Sequence, residues 1–298
     1  MEKVKIKDRI KPFFKRAFTA VRAIVLSPFL AFRLLIMTLG GVSFVFLLVT
    51  GFSVISFQRS LPDLEHMGFQ DLKAVAKKRV HMRLENKKTV HRWVSIKETS
   101  RDLLYAIVMS EDSKFFEHSG VNFDAIAESM LKNIKKGRYA YGASTISQQV
   151  VKNLFLTREK TIFRKLKEVI ITMDLEARFK KNEILELYLN LAEFGPDLYG
   201  VDAASRRMFS RKASELNAAE GAFLALMLPS PRRNYYSIFE NKNLTRKRKE
   251  KIKRILKDML FFEFISPEQY HAYLNWQYFT NAQIKRFRKV KRLPASRR

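Results

Sequence analysis

The longest unbroken apolar run of the chain spans residues 34–57, where no charged residue occurs. A helix of this length rises about 36 Å, which exceeds the roughly 30 Å of hydrocarbon in a bilayer. The pattern therefore predicts one transmembrane helix over 34–57. The alternatives are a buried core helix, which at this length seldom lacks a charge, and a cleaved signal peptide, which has a shorter apolar core followed by small residues.

The segment before this run, residues 1–33, carries nine Lys or Arg against two acidic residues. By the positive-inside rule this bias predicts a cytoplasmic N-terminus, with everything after residue 57 outside the cytoplasm. A shorter apolar stretch, 23–32, contains Pro28. We interpret it as an amphipathic segment on the inner membrane surface.

The polar and apolar pattern changes twice after residue 57. Residues 58–92 mix charges with scattered apolar positions and are predicted to form a stalk. Residues 93–240 show helical periodicity and predict a compact, mainly α domain. Residues 241–298 are predicted to be a basic helical extension with a tail. The helices predicted from periodicity are 103–109, 123–134, 146–155, 164–179, 183–191, 218–228 and 244–262, with another starting at Ser266-Pro267.

The net charge of the chain is +28, from 57 basic and 29 acidic residues. Such an excess indicates a polyanionic partner. Much of it lies at the two ends, because residues 241–298 hold seventeen Lys or Arg against four acids. With an exported domain, anionic membrane lipids are the expected partner and nucleic acid is not. The chain contains no cysteine, which excludes disulfides and thiolate chemistry.

An acidic segment, 110–120, directly follows the predicted helix 103–109. Negative charge is unfavourable at a helix C-terminus. A carboxylate held there beside Phe115 and Phe116 would have its pKa raised by desolvation, which suits a general acid or base. Glu111 is therefore a candidate catalytic residue. An ordinary solvated loop is the alternative.

A second polar segment, 141–153, precedes and enters a predicted helix. Gly142 permits a tight turn, and Ser144 or Thr145 can cap the helix, whose N-terminal N–H groups form a natural anion site. Four polar side chains then lie on two adjacent faces, Gln148 with Lys152 and Gln149 with Asn153. This amide-rich surface favours contacts with sugar hydroxyls and a phosphate. A solvated helix face is the alternative.

A third segment, 160–168, places Arg164 and Glu168 one helical turn apart. A helix-stabilising ion pair explains this spacing by itself. Alternatively, Lys and Arg here bind a pyrophosphate while Glu168 lies across a cleft from Glu111. Two separated carboxylates with adjacent cations are what glycosyl transfer to or from a phosphate requires.

Taken in order, these segments resemble the glycosyltransferase family that polymerises lipid II into glycan strands. The resemblance covers residues 93–239 in five blocks. The matching residues are Glu111, Asp112, Phe115, His118 and Gly120; Gly142, Ser144, Thr145, Ile146, Gln148, Gln149, Lys152 and Asn153; Arg164, Lys165 and Glu168; Ile184, Leu185, Tyr188, Leu189 and Asn190; and Arg232 with Arg233. The chain is similar to the monofunctional members, because the Ser-x-Asn and Lys-Thr-Gly elements of a transpeptidase are absent from the sequence.

The resemblance implies a lysozyme-like, α-rich fold with two lobes and a cleft between them. It implies that Glu111 is the base that deprotonates the acceptor 4-hydroxyl, and that the donor anomeric carbon is inverted as undecaprenyl pyrophosphate leaves. Glu168 is implied as the second catalytic glutamate, near the donor pyrophosphate. The substrate-binding residues implied are Asp112, Phe115, His118, Ser144, Thr145, Gln148, Gln149, Lys152, Asn153, Lys160, Arg164 and Lys165.

The resemblance also implies partners and a location. Lipid II and the nascent glycan strand are the expected substrates, other cell-wall synthesis proteins the expected partners, and a single-pass inner-membrane protein with a periplasmic catalytic domain the expected topology. A divalent cation, Mg²⁺ or Mn²⁺, is expected to assist, with no metal ligands assigned and no organic cofactor. The chain departs from the family at Ala143, where a second Gly is usual, and at Lys160, where an Arg is usual.

Two alternatives belong to other functional classes. A lysozyme-type hydrolase would use Glu111 as a general acid, but it has no anionic leaving group that would need the cations near Lys152 and Arg164. A membrane-tethered basic binding protein would attach to nucleic acid or anionic lipid through the tail 285–298, and the predicted outward topology makes nucleic acid a poor partner. In both our interpretation and this alternative, removing the tail should weaken lipid binding in a salt-dependent way.

Overall fold

The computed structural model describes residues 3–85, 91–138, 142–157, 159 and 161–279. The chain divides into two compact units, Met1–Leu61 and Pro62–Arg298.

The first unit is one continuous helix, α1 (Lys3–Arg59). Within it, Lys15–Arg59 contains a stretch long and apolar enough to cross a membrane, and its described apolar side chains are exposed. The separate amphipathic segment expected over 23–32 is not a distinct element, because the helix continues through Pro28. A proline removes one helical hydrogen bond but does not have to end a helix, so Pro28 marked no boundary.

The second unit is mainly helical, as the sequence predicts. Its helices in the described residues are α2 (Phe69–Leu84), α3 (Arg101–Glu111), α4 (Phe123–Lys136), α5 (Ile146–Phe155), α6 (Ile162–Arg178), α7 (Lys181–Leu191), α8 (Val201–Phe209), α9 (Ala218–Ala225), α10 (Pro231–Asn234), α11 (Arg246–Phe261) and α12 (Pro267–Leu274). Short 3₁₀ turns lie at Ile96–Glu98 and Ala213–Glu215, and a π-helical turn lies at Tyr235–Glu240. The strands β1 (Glu193–Gly195) and β2 (Leu198–Tyr199) form an antiparallel hairpin.

Two helix contacts fix the positions of the polar segments. The helix α5 packs against α6 and α7, and α3 packs along α9. Gly221 makes the second contact possible, because a Cβ atom there would lie 2.9 Å from the Leu103 Cα and 2.9 Å from the Ala106 Cβ. The close approach of α3 and α9 holds Glu111, the last residue of α3, in a fixed place.

The stalk expected over 58–92 is different in the structure. Its helix α2 buries one face, made of Leu72, Ala76, Val80 and Leu84, against α7 and α5. These residues recur every four positions, but the face is narrow and includes an alanine, so the surrounding charges obscure it in the sequence. Residues 62–85 therefore belong to the domain.

The C-terminal extension also joins the domain. The helix α11 packs on α3 and α9 through Ile252, Ile255, Leu256 and Met259, which are all buried. Its bounds, Arg246–Phe261, lie within two residues of the predicted ones, and α12 starts after Ser266 as predicted. The helix α8 and the hairpin were not predicted. The tail 285–298 lies outside the described residues.

Candidate active site

Glu111 lies at the C-terminal end of α3, whose first turn is capped by the Ser100 hydroxyl. Its Oε2 accepts a hydrogen bond of 3.1 Å from the side-chain amide of Gln149 on α5. Part of the side chain reaches solvent, yet burial of the carboxyl raises the pKa of Glu111. The hydrogen bond from Gln149 and the charges of Lys251 and Lys152 oppose this shift without cancelling it. A carboxyl with a raised pKa can accept a proton near neutral pH.

Asp112 and His118 form a hydrogen-bonded link between the acidic segment and α5. The Asp112 carboxylate accepts a bond of 3.0 Å from the Ile146 backbone N–H in the first turn of α5, and lies 3.0 Å from His118 Nε2. The Gly120 N–H donates to His118 Nδ1 at 3.1 Å, so we assign the ring proton to Nε2, which donates to Asp112. The anion at this helix N-terminus is thus a side chain of the protein itself.

Phe115 lies in the core rather than on the surface of a cleft. Its side chain is fully buried, and the Lys181 ammonium stands 4.5 Å above the ring. The expectation that Phe115 touches a substrate is therefore not supported by its position, which explains instead why this loop keeps one shape.

Thr145 and Gln148 cap α5 instead of facing a ligand. The Gln148 backbone N–H donates to Thr145 Oγ1, and the Thr145 N–H donates to the Gln148 side-chain oxygen at 3.0 Å. The Thr145 hydroxyl donates in turn to the Gly120 carbonyl at 2.6 Å. Both side chains are buried, so their role in the structure is to form a capping box that fixes the start of α5.

The other polar residues expected on this helix are accessible. Ser144 is exposed and its hydroxyl lies 3.4 Å from Lys165 Nζ. Gln149 reaches Glu111, Lys152 is exposed, and Asn153 is half-buried. The predicted polar face is thus present, but it is formed by Gln149, Lys152 and Asn153 without Gln148.

Glu168 on α6 is buried and paired with two cations. Its side chain is 3% exposed. Arg164 Nη1 donates to one carboxylate oxygen at 2.7 Å, and Lys165 Nζ donates to the other. The ion pair expected between Arg164 and Glu168 is therefore present. The pairing fixes both cations, since a buried carboxylate needs partners for its charge.

Lys152 connects the two glutamates electrostatically. Burial is the first cause that lowers the pKa of Lys152, and the charges of Glu168 and Glu111 both oppose this shift. The Lys152 side chain is accessible to solvent, and the nearby positive charges of Arg164 and Lys165 also lower its pKa. Glu111 and Glu168 therefore act on the same cation, Glu111 from α3 and Glu168 from α6.

A cavity of about 530 Å³ lies beside Lys152 and Arg164. Arg83 of α2 and Arg232 add two more cations to its lining, against Glu159 and Glu193. Arg232 is paired with Glu193 at 2.9 Å, and the Arg83 guanidinium stands 5.5 Å from the Tyr199 ring centre. A cavity with this excess of cations can hold a phosphate-bearing ligand.

Three residues of this region were missed or left without a role. Arg83 was assigned to the stalk, although its Nη2 donates to the Asn153 carbonyl at 3.0 Å. Lys251 lies within electrostatic reach of Glu111, but nothing distinguishes it from the other basic residues of α11 in the sequence. Tyr188 appeared in the fourth block of the resemblance, and only the fold places it beside Glu111.

Two expectations remain predictions. Lys160 lies outside the described residues. In the described part of the chain, His, Asp and Glu side chains do not gather in a group of three or more that could hold a metal ion. Asp112 is bonded to His118, and Glu168 is bonded to two cations. The expected Mg²⁺ or Mn²⁺ therefore stays a prediction without assigned ligands.

The chain is similar in sequence to proteins of a known family. The family described as Transglycosylase matches residues 77–260. The biosynthetic peptidoglycan transglycosylase of Nitrosospira multiformis is 47% identical over 152 residues, which are 51% of this chain and 64% of that protein, less than two thirds of its length. The protein of the same name from Thiobacillus denitrificans is 42% identical over 166 residues, 56% of this chain and 71% of the relative. That of Chromobacterium violaceum is 45% identical over 151 residues, 51% and 65% of the two chains. The match to the family covers more than half of the sequence and contains Glu111, Lys152 and Glu168, and the chain therefore belongs to the transglycosylase family.

Proposed function

We propose that this protein is a peptidoglycan glycosyltransferase that polymerises lipid II into glycan strands. The observation that carries the proposal is that α5 holds both Gln149, which donates to Glu111, and Lys152, which lines a cationic cavity together with Arg164. Arg164 is in turn the ion-pair partner of Glu168. The Glu111 carboxyl has a raised pKa, and that of Glu168 is held between two cations. A base and a set of cations around one cleft suit a transfer in which a hydroxyl attacks and a phosphate leaves.

Glu111 is the proposed catalytic base. Its carboxylate takes the proton of the 4-hydroxyl of the acceptor N-acetylglucosamine, and that oxygen forms a bond to the anomeric carbon of the donor. The bond between this carbon and the pyrophosphate oxygen breaks, with inversion at the carbon. The raised pKa of Glu111 supports this role, because a base whose pKa lies nearer to the working pH transfers protons more effectively.

The cations of the cleft bind the leaving group in this proposal. Undecaprenyl pyrophosphate carries its negative charge away from the anomeric carbon, and Lys152, Arg164 and Lys165 stabilise the charge that develops there. Glu168 holds Arg164 and Lys165 in place through two direct ion pairs. Arg83 and Arg232 extend the same cationic lining along the cavity.

The outer face of α6 is evidence for a substrate that is linked to a lipid. The helix buries Glu168, Ile171, Thr172 and Leu175 on one side. On the other side it exposes the apolar residues Ile162, Leu166, Ile170 and Met173, and Ile162 is 89% exposed. Exposed apolar faces of this kind mark contacts with membranes or other proteins. We assign this face to the lipid surface in which a polyprenyl chain resides.

The helix α4 has the same property. None of the residues of α4 is buried, and Phe123, Met130, Leu131 and Ile134 are exposed. Lysines at its C-terminal end, Lys135 and Lys136, would meet anionic headgroups.

The basic residues before the apolar part of α1 support a single-pass topology with a cytoplasmic N-terminus and an extracytoplasmic catalytic domain.

A polymerisation assay tests the proposal. The purified full-length protein in detergent is expected to convert lipid II into glycan polymer and to release undecaprenyl pyrophosphate as each new bond forms. In parallel, the protein is incubated with purified sacculi in the absence of lipid II. Absence of polymer together with release of short fragments from sacculi would replace the transferase by a glycan hydrolase.

A further inference from the structure

Tyr188 on α7 has a buried hydroxyl group without a hydrogen-bond partner. The side chain is 1% exposed, and within the described part of the chain its oxygen makes no hydrogen bond. A buried hydroxyl left unpaired costs about 1–3 kcal/mol. Phenylalanine would fill the same space without this cost, so the hydroxyl itself calls for an explanation.

The hydroxyl of Tyr188 lies close enough to the carboxyl groups of Glu111 and Asp112 to interact with both. Burial is the main cause that raises the pKa of Tyr188, and the charges of Glu111 and then Asp112 raise it further. The phenol and the Glu111 carboxyl are near enough to interact, although the two groups do not form a hydrogen bond of normal geometry. Tyr188 is thus a neighbour of the proposed base from a different helix.

Of the two carboxyls, that of Glu111 can accept a further hydrogen bond. Asp112 already accepts bonds from the Ile146 N–H and from His118. Among the described residues, Glu111 accepts one hydrogen bond, from Gln149 to Oε2. An ionised carboxylate can accept about four hydrogen bonds, so Glu111 can accept one from a phenol.

The other charged groups around Glu111 are Lys152 on α5, Lys251 on α11 and the adjacent Asp112. The two lysines act through space and favour the ionised carboxylate, while Asp112 disfavours it. A group that donates a hydrogen bond directly to Glu111 would orient its carboxylate as well as stabilise its negative charge, because a hydrogen bond has a preferred direction.

We propose that Tyr188 is a positioning residue whose hydroxyl donates a hydrogen bond to the ionised Glu111 carboxylate. The bond holds the base deprotonated and directs its free oxygen toward the acceptor hydroxyl. When Glu111 takes up the proton of the acceptor, its charge disappears and the bond weakens. The catalytic meaning of the bond rests on the proposed function, but the bond itself does not.

The test compares Tyr188→Phe with Tyr278→Phe. Tyr278 is a matched control, because its hydroxyl is also buried without a hydrogen-bond partner in the described residues, and the acid that acts on it is Glu220 rather than Glu111. The full-length proteins, labelled with ¹³C at the glutamate carboxyls, are titrated by NMR. The Glu111 signal is assigned by its loss in Glu111→Gln.

We expect Tyr188→Phe to raise the pKa of Glu111 by about one unit, which lowers its ionised fraction about tenfold on the acid side. The acid limb of the polymerisation rate against pH should move upward by the same amount, and Tyr278→Phe should leave both unchanged. An unshifted Glu111 titration in Tyr188→Phe would overturn the proposal, whether or not thermal stability changes. If the wild type does not polymerise lipid II, the proposed function fails, and the NMR titration still decides whether the two residues are bonded.

Discussion

The side-chain amide of Gln149 donates a 3.1 Å hydrogen bond to Glu111 and so ties the end of α3 to α5. The next residue, Asp112, is tied to the same helix through the Ile146 backbone N–H. Two successive carboxyls therefore take their positions from α5. The orientation of Glu111 depends on a helix that also carries Lys152.

Replacing Gln149 by leucine tests this dependence. The amide stabilises the ionised form of Glu111, so its loss should raise the pKa of Glu111 further above its ordinary value. Because a hydrogen bond to a charged group contributes about 1.5–3 kcal/mol, we expect polymerisation near neutral pH to fall about tenfold or more. The activity should recover partly as the pH is raised. A uniform loss at every pH would contradict this explanation.

The raised pKa of Glu111 also has a consequence for stability. Burial makes the folded protein bind this proton more tightly than the unfolded chain does, so stability falls as the pH rises from the ordinary glutamate range through the folded pKa. We expect Glu111→Gln to unfold at a higher temperature than the wild type near pH 7. Near pH 4, where the wild-type carboxyl is protonated, the two should agree. Thermal unfolding followed by circular dichroism measures the unfolding temperature of each protein at the two pH values. A larger increase in unfolding temperature at pH 4 than at pH 7 would be inconsistent with a raised pKa of Glu111.

The two cations on Glu168 should differ in their contribution to stability. Arg164 is mostly buried with its partner, whereas the Lys165 side chain is 45% exposed. Breaking a buried pair costs about 3–5 kcal/mol, while an exposed pair contributes about 0–1 kcal/mol. Arg164→Ala should therefore lower the unfolding free energy by about 2 kcal/mol more than Lys165→Ala, and both should reduce polymerisation. Denaturant titration of the two variants gives the comparison, and equal losses would show that the burial difference does not matter.

Much of this site could be predicted from the local pattern of the sequence. The helix predicted over 146–155 is α5 with the same bounds, because its apolar spacing follows a capping residue; the sequence allows Ser144 or Thr145, and the structure has Thr145. The raised pKa of Glu111 follows from an acid at a helix end beside apolar residues, and the structure shows that shift with burial as its first cause. The ion pair of Arg164 with Glu168 follows from their spacing along one helix.

Other features depend on contacts between distant parts of the chain. Gln148 and Gln149 are adjacent and chemically identical, and only the packing of α5 decides that the first caps the helix and the second reaches Glu111. Lys251 and Tyr188 approach Glu111 from α11 and α7, and no local signal connects them. The charges on α2 conceal its buried face, so the sequence predicts a stalk over 58–92, which includes this helix.

The structural role of α2 gives another prediction. Arg79 Nε donates to the Leu154 carbonyl at 2.7 Å and thereby satisfies a carbonyl at the C-terminal end of α5. Arg79→Ala should destabilise the protein by about 1–2 kcal/mol, because it leaves a partly buried carbonyl without this donor. The neighbouring Lys78→Ala, at an exposed position on the same helix, is the control and should have little effect. Equal melting temperatures of the two variants would mean that α2 does not hold α5.

Lipid II polymerisation by Glu111→Gln and Glu117→Gln, measured side by side, tests most directly whether Glu111 is the catalytic base. Both changes remove one carboxylate from the same loop region, but Glu117 is exposed and Glu111 lies beside Gln149 and Lys152. We expect Glu111→Gln to form no glycan polymer while keeping the helical circular-dichroism signal, and Glu117→Gln to polymerise at the wild-type rate. Normal polymer from Glu111→Gln would contradict the role of Glu111 as the base.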